Sequence, residues 1–212
     1  MKFFDLDNCI TKSRQKISPK MKKKLATLGE FVVISGAGKR QMQYQLDDLD
    51  CEILAQSGNN APGWRNELEP EEKTEILNHI NKFGFPVQFL LEDRGCQMSY
   101  SFVGHQADQI VKDNFDPKQK IRALVLKKFP FVSKTLVVKV AGTTCLDYTK
   151  KNGTKGKNIE RYIKENHLNK KDCVYYGDAL FKGGNDETVL GVIRCIKVKN
   201  PDDLYKKLCK KQ

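Results

Sequence analysis

The apolar pair Phe3-Phe4 runs straight into two carboxylates one residue apart, Asp5 and Asp7. If residues 3–6 form a buried strand, both acids stand where the strand ends and the chain turns. In an open parallel sheet that is where ligands bind, in the crevice outside the carboxyl ends of the strands. Two acids so close repel each other, and a cation relieves them: Mg2+ usually takes one or two carboxylates together with water and substrate phosphate. An Asp-x-Asp triplet by itself fits a helix cap or a solvated turn as well, so the weight falls on what else the chain sets at strand ends. Ser35, followed by Gly36, Ala37 and Gly38, closes the run Phe31–Ile34. Asp178 closes the run 173–177, with Gly183-Gly184-Asn185-Asp186 just beyond, and Lys155 opens a helical stretch. With parallel strands these groups would share one rim. That constellation would support phosphoryl transfer, in which catalysis is mostly positioning and electrostatic stabilisation. Asp5 would attack phosphorus, and Asp7 would protonate the leaving oxygen and then activate water. Ser35 and nearby N–H groups would hold phosphate oxygens, although Ser35 taken alone is an ordinary helix cap. Lys155 would neutralise charge, and Asp178 and Asp186 would complete a metal site with Asp5 and the Asp7 carbonyl.

The elements that must position these groups follow from pattern. Ser18-Pro19 starts a helix, with Ser at the cap and Pro in the first turn; Met21, Leu25 and Leu28 form its apolar stripe and Gly29 ends it. Phe31–Ile34 is a continuous β-branched and aromatic run, as expected of a strand buried on both faces. A helix carrying Met42, Leu46 and Leu49 and a strand over 52–55 come next, then a turn at 57–60. The texture then changes. The acidic stretch 67–75 opens a helix expected to turn Ile76, Leu77 and Ile80 inward, and strands are expected over 87–91, 96–103 and 136–140, with a helix over 117–129. Met98, Tyr100 and Phe102 alternate as on one face of a half-buried strand. The doubly wound texture resumes with a helix over 155–166, strands over 173–176 and 192–198, and a helix over 201–209. The reading is a core of residues 1–62 and 150–212 with an inserted α+β lobe over 63–149.

A chain of 212 residues is long enough for one core and a modest second lobe. Its 38 Lys and Arg against 26 Asp and Glu give a net charge of +12, which suits an anionic partner, either a phosphorylated metabolite or nucleic acid. Much of the lysine lies in the runs 20–24 and 206–211, which read as solvated faces. The seven cysteines are scattered and none forms Cys-x-x-Cys. That argues against a zinc knuckle or a disulfide framework and for a reducing, cytoplasmic setting. No apolar stretch approaches the roughly 20 residues of a membrane span. His79 and His167 read as exposed, and Trp64 as a packing residue at the lobe boundary.

Taken in order, the motifs resemble those of the haloacid-dehalogenase superfamily of phosphotransferases. Asp5-Leu6-Asp7 is similar to its first motif, Ser35 to its second, Lys155 followed by Gly156 to its third, and Gly177-Asp178 with Gly184-Asn185-Asp186 to its fourth. The stretches 11–17, Arg94-Gly95, 142–147 and 177–186 look like the phosphomannomutase-like branch of subfamily IIB, which inserts a larger α/β cap between the second and third motifs. The resemblance implies an α/β fold: a Rossmann-like doubly wound parallel sheet with an inserted α+β cap that sets substrate specificity. It implies catalytic Asp5, Asp7, Ser35 and Lys155, a Mg2+ site of Asp5, Asp7, Asp178 and Asp186, and substrate contacts at Gly36, Arg94, Gln97 and Asp147. It implies a Mg2+-dependent phosphomonoester hydrolase working through an aspartyl-phosphate on a small phosphorylated substrate such as a sugar phosphate, as a monomer or homodimer with no membrane partner. A phosphomutase is the alternative reaction, and a non-catalytic nucleic-acid-binding protein the alternative class. Two departures stand out. Asn8-Cys9 replaces the usual Gly-Thr after the first motif, and His105 stands where a second basic residue would help Arg94 grip a phosphate. The weaker grip favours hydrolysis over mutase action.

Overall fold

A computed structural model describes residues 1–85 and 90–210. Strand β1 (Lys2–Phe4), helix α1 (Pro19–Ala26), β2 (Phe31–Ile34), α2 (Lys39–Leu46) and β3 (Glu52–Leu54) come first. A 3-10 turn, Gln56–Gly58, and the two-residue strands β4 (Asn60–Ala61) and β5 (Trp64–Arg65) follow. The middle holds α3 (Pro70–Asn81), β6 (Leu91–Asp93), β7 (Met98–Ser101), α4 (Gln109–Phe115), α5 (Lys120–Lys128), β8 (Leu136–Ala141) and β9 (Cys145–Lys150). The chain closes with α6 (Lys155–Glu165), β10 (Val174–Gly177), a 3-10 turn Glu187–Val189, β11 (Arg194–Lys197) and α7 (Pro201–Cys209). Two compact units result, Met1–Arg65 with Gly153–Gln212, and Asn66–Asn152.

The first unit is a mixed α/β layer structure around a five-stranded sheet of order β11-β10-β1-β2-β3, every pairing parallel. Side chains alternate between its faces, and both faces are covered, which is why its strands read as unbroken apolar runs. Phe4, Val33 and Tyr176 pack with Met21 and Leu25 of α1, Met42 and Leu46 of α2 and Leu204 of α7. Phe3, Val32 and Tyr175 pack on the other face with Ile159, Tyr162 and Ile163 of α6. Strand β1 lies between β2 and β10, so the strand order reverses there, and the crevice at such a switch point is where open α/β sheets bind ligands.

The second unit is an antiparallel sheet of order β6-β7-β9-β8 with α3, α4 and α5. Met98, Tyr100, Leu146 and Tyr148 form its core with Ile76 and Ile80 of α3. The opposite sheet face carries a polar row in register, Glu92, Ser99, Asp147 and Lys139. Several expectations change here. Leu77 is exposed, because the inward stripe of α3 runs through Ile76, His79 and Ile80. His79 is buried: a backbone carbonyl only accepts, so Nε2–H donates to the Phe129 carbonyl and Nδ1 accepts from the Tyr148 hydroxyl, each at 2.8 Å. His167 is exposed but lies beyond α6, in the left-handed region. The helix expected over 117–129 starts only at Lys120, since Gln119 is left-handed and the Asp116 carboxylate takes the N–H groups of Ile121 and Arg122. Strand β9 was missed although Leu146 and Tyr148 alternate inward, and α4 was missed as well. The strand expected over 87–91 falls partly outside the described residues; β6 begins at Leu91.

Candidate active site

Asp5 follows β1, and its N–H still donates to the Tyr176 carbonyl at 2.8 Å, so the carboxylate is carried on sheet geometry. Lys155 is the first residue of α6, which Thr154 caps by accepting from the Lys157 N–H. Its Nζ donates to Asp5 Oδ1 at 2.5 Å and to Asp186 Oδ1 at 2.7 Å, with all three side chains at most 3% exposed. Lys157, the sequence's competing lysine, is exposed, and Lys150 pairs with Glu69 and Glu72 in the other unit. Asp178, just after β10, completes the group: Asp5, Asp178 and Asp186 each offer a carboxylate oxygen, all within 4.8 Å of one another.

Glycines make this approach possible. A Cβ on Gly177 would lie 2.3 Å from Asp186 Oδ2, and one on Gly156 would lie 1.8 Å from the Thr188 carbonyl oxygen. The Gly156 N–H donates instead to Thr188 Oγ1 at 3.1 Å, tying the start of α6 to the turn after Asp186. Burial pushes the Asp5 carboxyl well above its ordinary value; Lys155 pulls the other way, and Asp186 and Asp178 add to the push. Burial and Asp186 likewise raise Asp178. Burial pulls Lys155 down, yet Asp186 and Asp5 outweigh it and keep the ammonium charged. Three carboxylates against one ammonium leave an excess of negative charge, and a hard divalent cation with oxygen ligands fits that donor set.

Asp7 points elsewhere. Its Oδ1 accepts from the Arg14 N–H and the Gln45 amide, both at 3.0 Å, and Gln45 also donates to Thr11 Oγ1 at 2.9 Å. Its carboxylate is therefore outside the three-acid group. Ser35 follows β2, next to β1 on the same rim, and is 3% exposed; its Oγ accepts from the Ala37 N–H at 3.1 Å. A Cβ on Gly36 would meet nothing nearer than Ser57 Oγ at 3.9 Å, so backbone access there is open.

Arg94, Gln97 and Asp147 lie in the other unit. The Arg94 N–H donates to the Gln97 carbonyl at 2.9 Å across the turn at Gly95, and the Arg94 guanidinium grips Glu92 Oε2 through Nε at 3.0 Å and Nη2 at 2.6 Å. Asp147 accepts from Ser99 Oγ at 2.6 Å, and burial raises its carboxyl despite Arg94.

Tyr175, Gln45 and Thr188 did not stand out in the sequence. Gln45 had a signal, a polar residue on the inward stripe of α2 between Met42 and Leu46. Tyr175 had a weaker one, a hydroxyl in an otherwise apolar strand.

No family model matches the chain. It is 25% identical over 234 residues to a phosphomannomutase of Encephalitozoon cuniculi, covering 97% of this chain and 90% of the relative. It is 26% identical over 240 residues to a phosphomannomutase of Schizosaccharomyces pombe, covering 98% and 92%. Among solved structures, a phosphatase of the haloalkanoate (HAD) superfamily from Bacteroides thetaiotaomicron matches with TM-score 0.68 at 12% identity, over 98% of this chain and 92% of that one. A HAD subclass IIB sugar phosphatase matches with TM-score 0.60 at 15% identity, over 98% and 96%. Over nearly its whole length the chain is similar to phosphomannomutases, and its fold is the one seen in phosphatases of the haloacid-dehalogenase superfamily. The structural likenesses carry the fold, the curated relatives the branch. The departures from the superfamily pattern now have local explanations. Asn8 takes the left-handed conformation at φ 57°, which Asn tolerates, and the buried Cys9 thiol donates to the Tyr176 carbonyl at 3.4 Å. In the second unit of this phosphomannomutase-like chain, His105 Nε2–H donates to the Ser99 carbonyl at 3.0 Å, and Nδ1 lies 3.5 Å from Glu92, the carboxylate that already holds Arg94.

Proposed function

We propose that the chain hydrolyses phosphomonoesters of small metabolites such as sugar phosphates, in a Mg2+-dependent reaction through an aspartyl-phosphate on Asp5. The observation that carries this reading is the meeting of Asp5, Asp178 and Asp186 at the switch point of a parallel sheet, with Lys155 bonded to Asp5 and Asp186. Asp5 and Asp178 would hold the metal, with Asp186 beside them; bound there, it would neutralise phosphate charge and polarise the P–O bonds. Asp5 attacks phosphorus, and the bond to the ester oxygen breaks. Asp7 gives its proton to that leaving oxygen. With both donors on Oδ1, its Oδ2 is the oxygen left to carry the proton. Asp7 then takes a proton from water, whose oxygen attacks phosphorus, releases inorganic phosphate and restores Asp5. Lys155 offsets charge on Asp5 and the phosphoryl group, and the Ser35–Gly38 loop offers hydroxyl and N–H donors to phosphate oxygens. Residues 66–152 act as the cap that chooses the substrate, with Arg94, Gln97 and Asp147 as its contacts.

A screen of phosphorylated metabolites with Mg2+, run beside Asp5→Asn, tests this. Activity should fall about 10³-fold or more in the variant; activity that survives means a different nucleophile. The names of the curated relatives favour a second reading, a phosphohexomutase. Sustained interconversion of hexose 1- and 6-phosphates, dependent on a hexose bisphosphate, would establish that reading and remove hydrolysis. The engagement of Arg94 by Glu92 supports hydrolysis, because a doubly phosphorylated intermediate needs cations free of carboxylates at its far end.

A further inference from the structure

Strand β10 places a tyrosine hydroxyl inside the acid–lysine cluster. Tyr175 is fully buried between Phe3 of β1 and Cys195 of β11, with its ring in the core on the α6 face. Its Oη donates to Asp186 Oδ1 at 2.7 Å and lies 3.4 Å from Lys155 Nζ. Burying a phenol oxygen costs stability unless it is hydrogen-bonded, and a phenylalanine would fill the same core position without it. Gly177 is shaped around this contact: a Cβ there would lie 2.6 Å from Tyr175 Cε1 as well as 2.3 Å from Asp186 Oδ2.

The bonds on Asp186 give that hydroxyl a consequence. Oδ1 receives Tyr175 and Lys155, and Oδ2 receives the Ala179 N–H at 3.2 Å. Three of about four lone-pair directions of the carboxylate are thus taken by donors. We propose that Tyr175 is a positioning residue: its hydroxyl shares Asp186 Oδ1 with Lys155, which leaves the ammonium seated beside Asp5 and keeps Asp186 from acting as a full-strength metal ligand. This rests on the metal and nucleophile reading above. Removing the hydroxyl should leave Asp186 more negative. Lys155 would then be drawn from Asp5 towards Asp186, and the metal position would become more attractive to a cation. Metal affinity and turnover should therefore move in opposite directions, which lost packing alone would not do.

The test is Mg2+ titrated calorimetrically into metal-free protein, parent against Tyr175→Phe, with turnover measured in parallel. A hydrogen bond to a charged group is worth enough to change an equilibrium about tenfold. The variant should bind Mg2+ about tenfold more tightly and turn over about tenfold more slowly, with KM little changed. In an Asp186→Asn background the tyrosine change should no longer alter Mg2+ affinity, a double-mutant cycle that also covers any loss of packing. Mg2+ affinity within about twofold of the parent in Tyr175→Phe overturns the proposal, whatever turnover does. No uptake of Mg2+ by the parent protein would instead sink the metal reading itself, and this inference with it.

Discussion

Gln45 shows how far the site depends on a side chain that does no chemistry. Fully buried on α2, its amide bridges Asp7 Oδ1 and Thr11 Oγ1 and so sets the rotamer of the proposed acid–base group. Gln45→Leu keeps the volume and removes both bonds, one of them to a charged acceptor. Such bonds are worth about 1.5–3 kcal/mol, so kcat should fall about tenfold or more while KM for the phosphoester changes little. Steady-state kinetics check this, and an unchanged kcat would show that Asp7 needs no such support. The first-motif acids were legible as residues, because two carboxylates after an apolar run are an unusual local pattern. Gln45 was not, because its role appears only when α2 is packed beside the turn that follows β1.

At the scale of the element, α6 works as a lever whose first residue is the lysine. Its helical stripe, Ile159, Tyr162 and Ile163, was plain in the sequence and is buried as expected. What locates the lever is contact at its N-terminus: Gly156 against the Thr188 backbone, and Asn158 Nδ2 donating to the Ser57 carbonyl at 2.8 Å. Gly156→Ala would drive a Cβ into the Thr188 carbonyl, a backbone atom that cannot swing aside. The helix must shift, and Lys155 with it. Overpacking of this kind costs about 1–3 kcal/mol, and the expected result is a lowered melting temperature with a more than tenfold loss of turnover. Parent-like melting and turnover would mean that α6 has slack. The strands show the same division between local and non-local information. Runs buried on both faces were easy to read, whereas β9, with Asp147 and Thr149 on its polar face, and the late start of α5 depended on neighbours and on the Asp116 cap.

For the whole molecule, each unit carries its own apolar core, and the second is also stapled by a buried ion pair. Arg122 is 1% and Asp116 3% exposed; Nε meets Oδ2 at 2.9 Å, and Nη1 reaches the carbonyls of Ala141 and Gly142. Burial pushes the Asp116 carboxyl up, but the N–H groups and guanidinium of Arg122 outweigh it and hold it below its ordinary value. The folded value therefore lies below the unfolded one. The contribution of Asp116 is complete above the unfolded range, about pH 4, and is lost as pH falls through the folded value. Arg122→Met leaves the buried carboxylate without its guanidinium, at a cost of about 3–5 kcal/mol, and weakens the pH dependence: only the N–H groups of residues 121 and 122 would still hold Asp116 down, so the loss of stability on acidification should be shallower. Urea unfolding of both proteins across that range, followed by circular dichroism, checks the shallower profile; parallel pH profiles would refute it. The same scale weighs the nucleic-acid alternative. A surface lysine patch gives no reason to bury two carboxylates against a lysine with a third beside them, and that arrangement is what a phosphoryl-transfer site requires.

Composition and pattern by themselves determined the α/β class, the sheet-forming runs and the residue types offered at strand ends, because burial on two faces and caps at helix starts leave local marks. They also determined the order of the motifs that carries the resemblance. Only the tertiary structure decided that Lys155 rather than Lys157 or Lys150 meets the acids, that the carboxylates of Asp5, Asp178 and Asp186 lie together while that of Asp7 turns towards Gln45, and that Tyr175 joins them. The Lys155–Asp5 contact alone joins residues 150 positions apart. Such contacts exist because parallel strands bring distant segments to one rim, and no local pattern records which side chains will meet there.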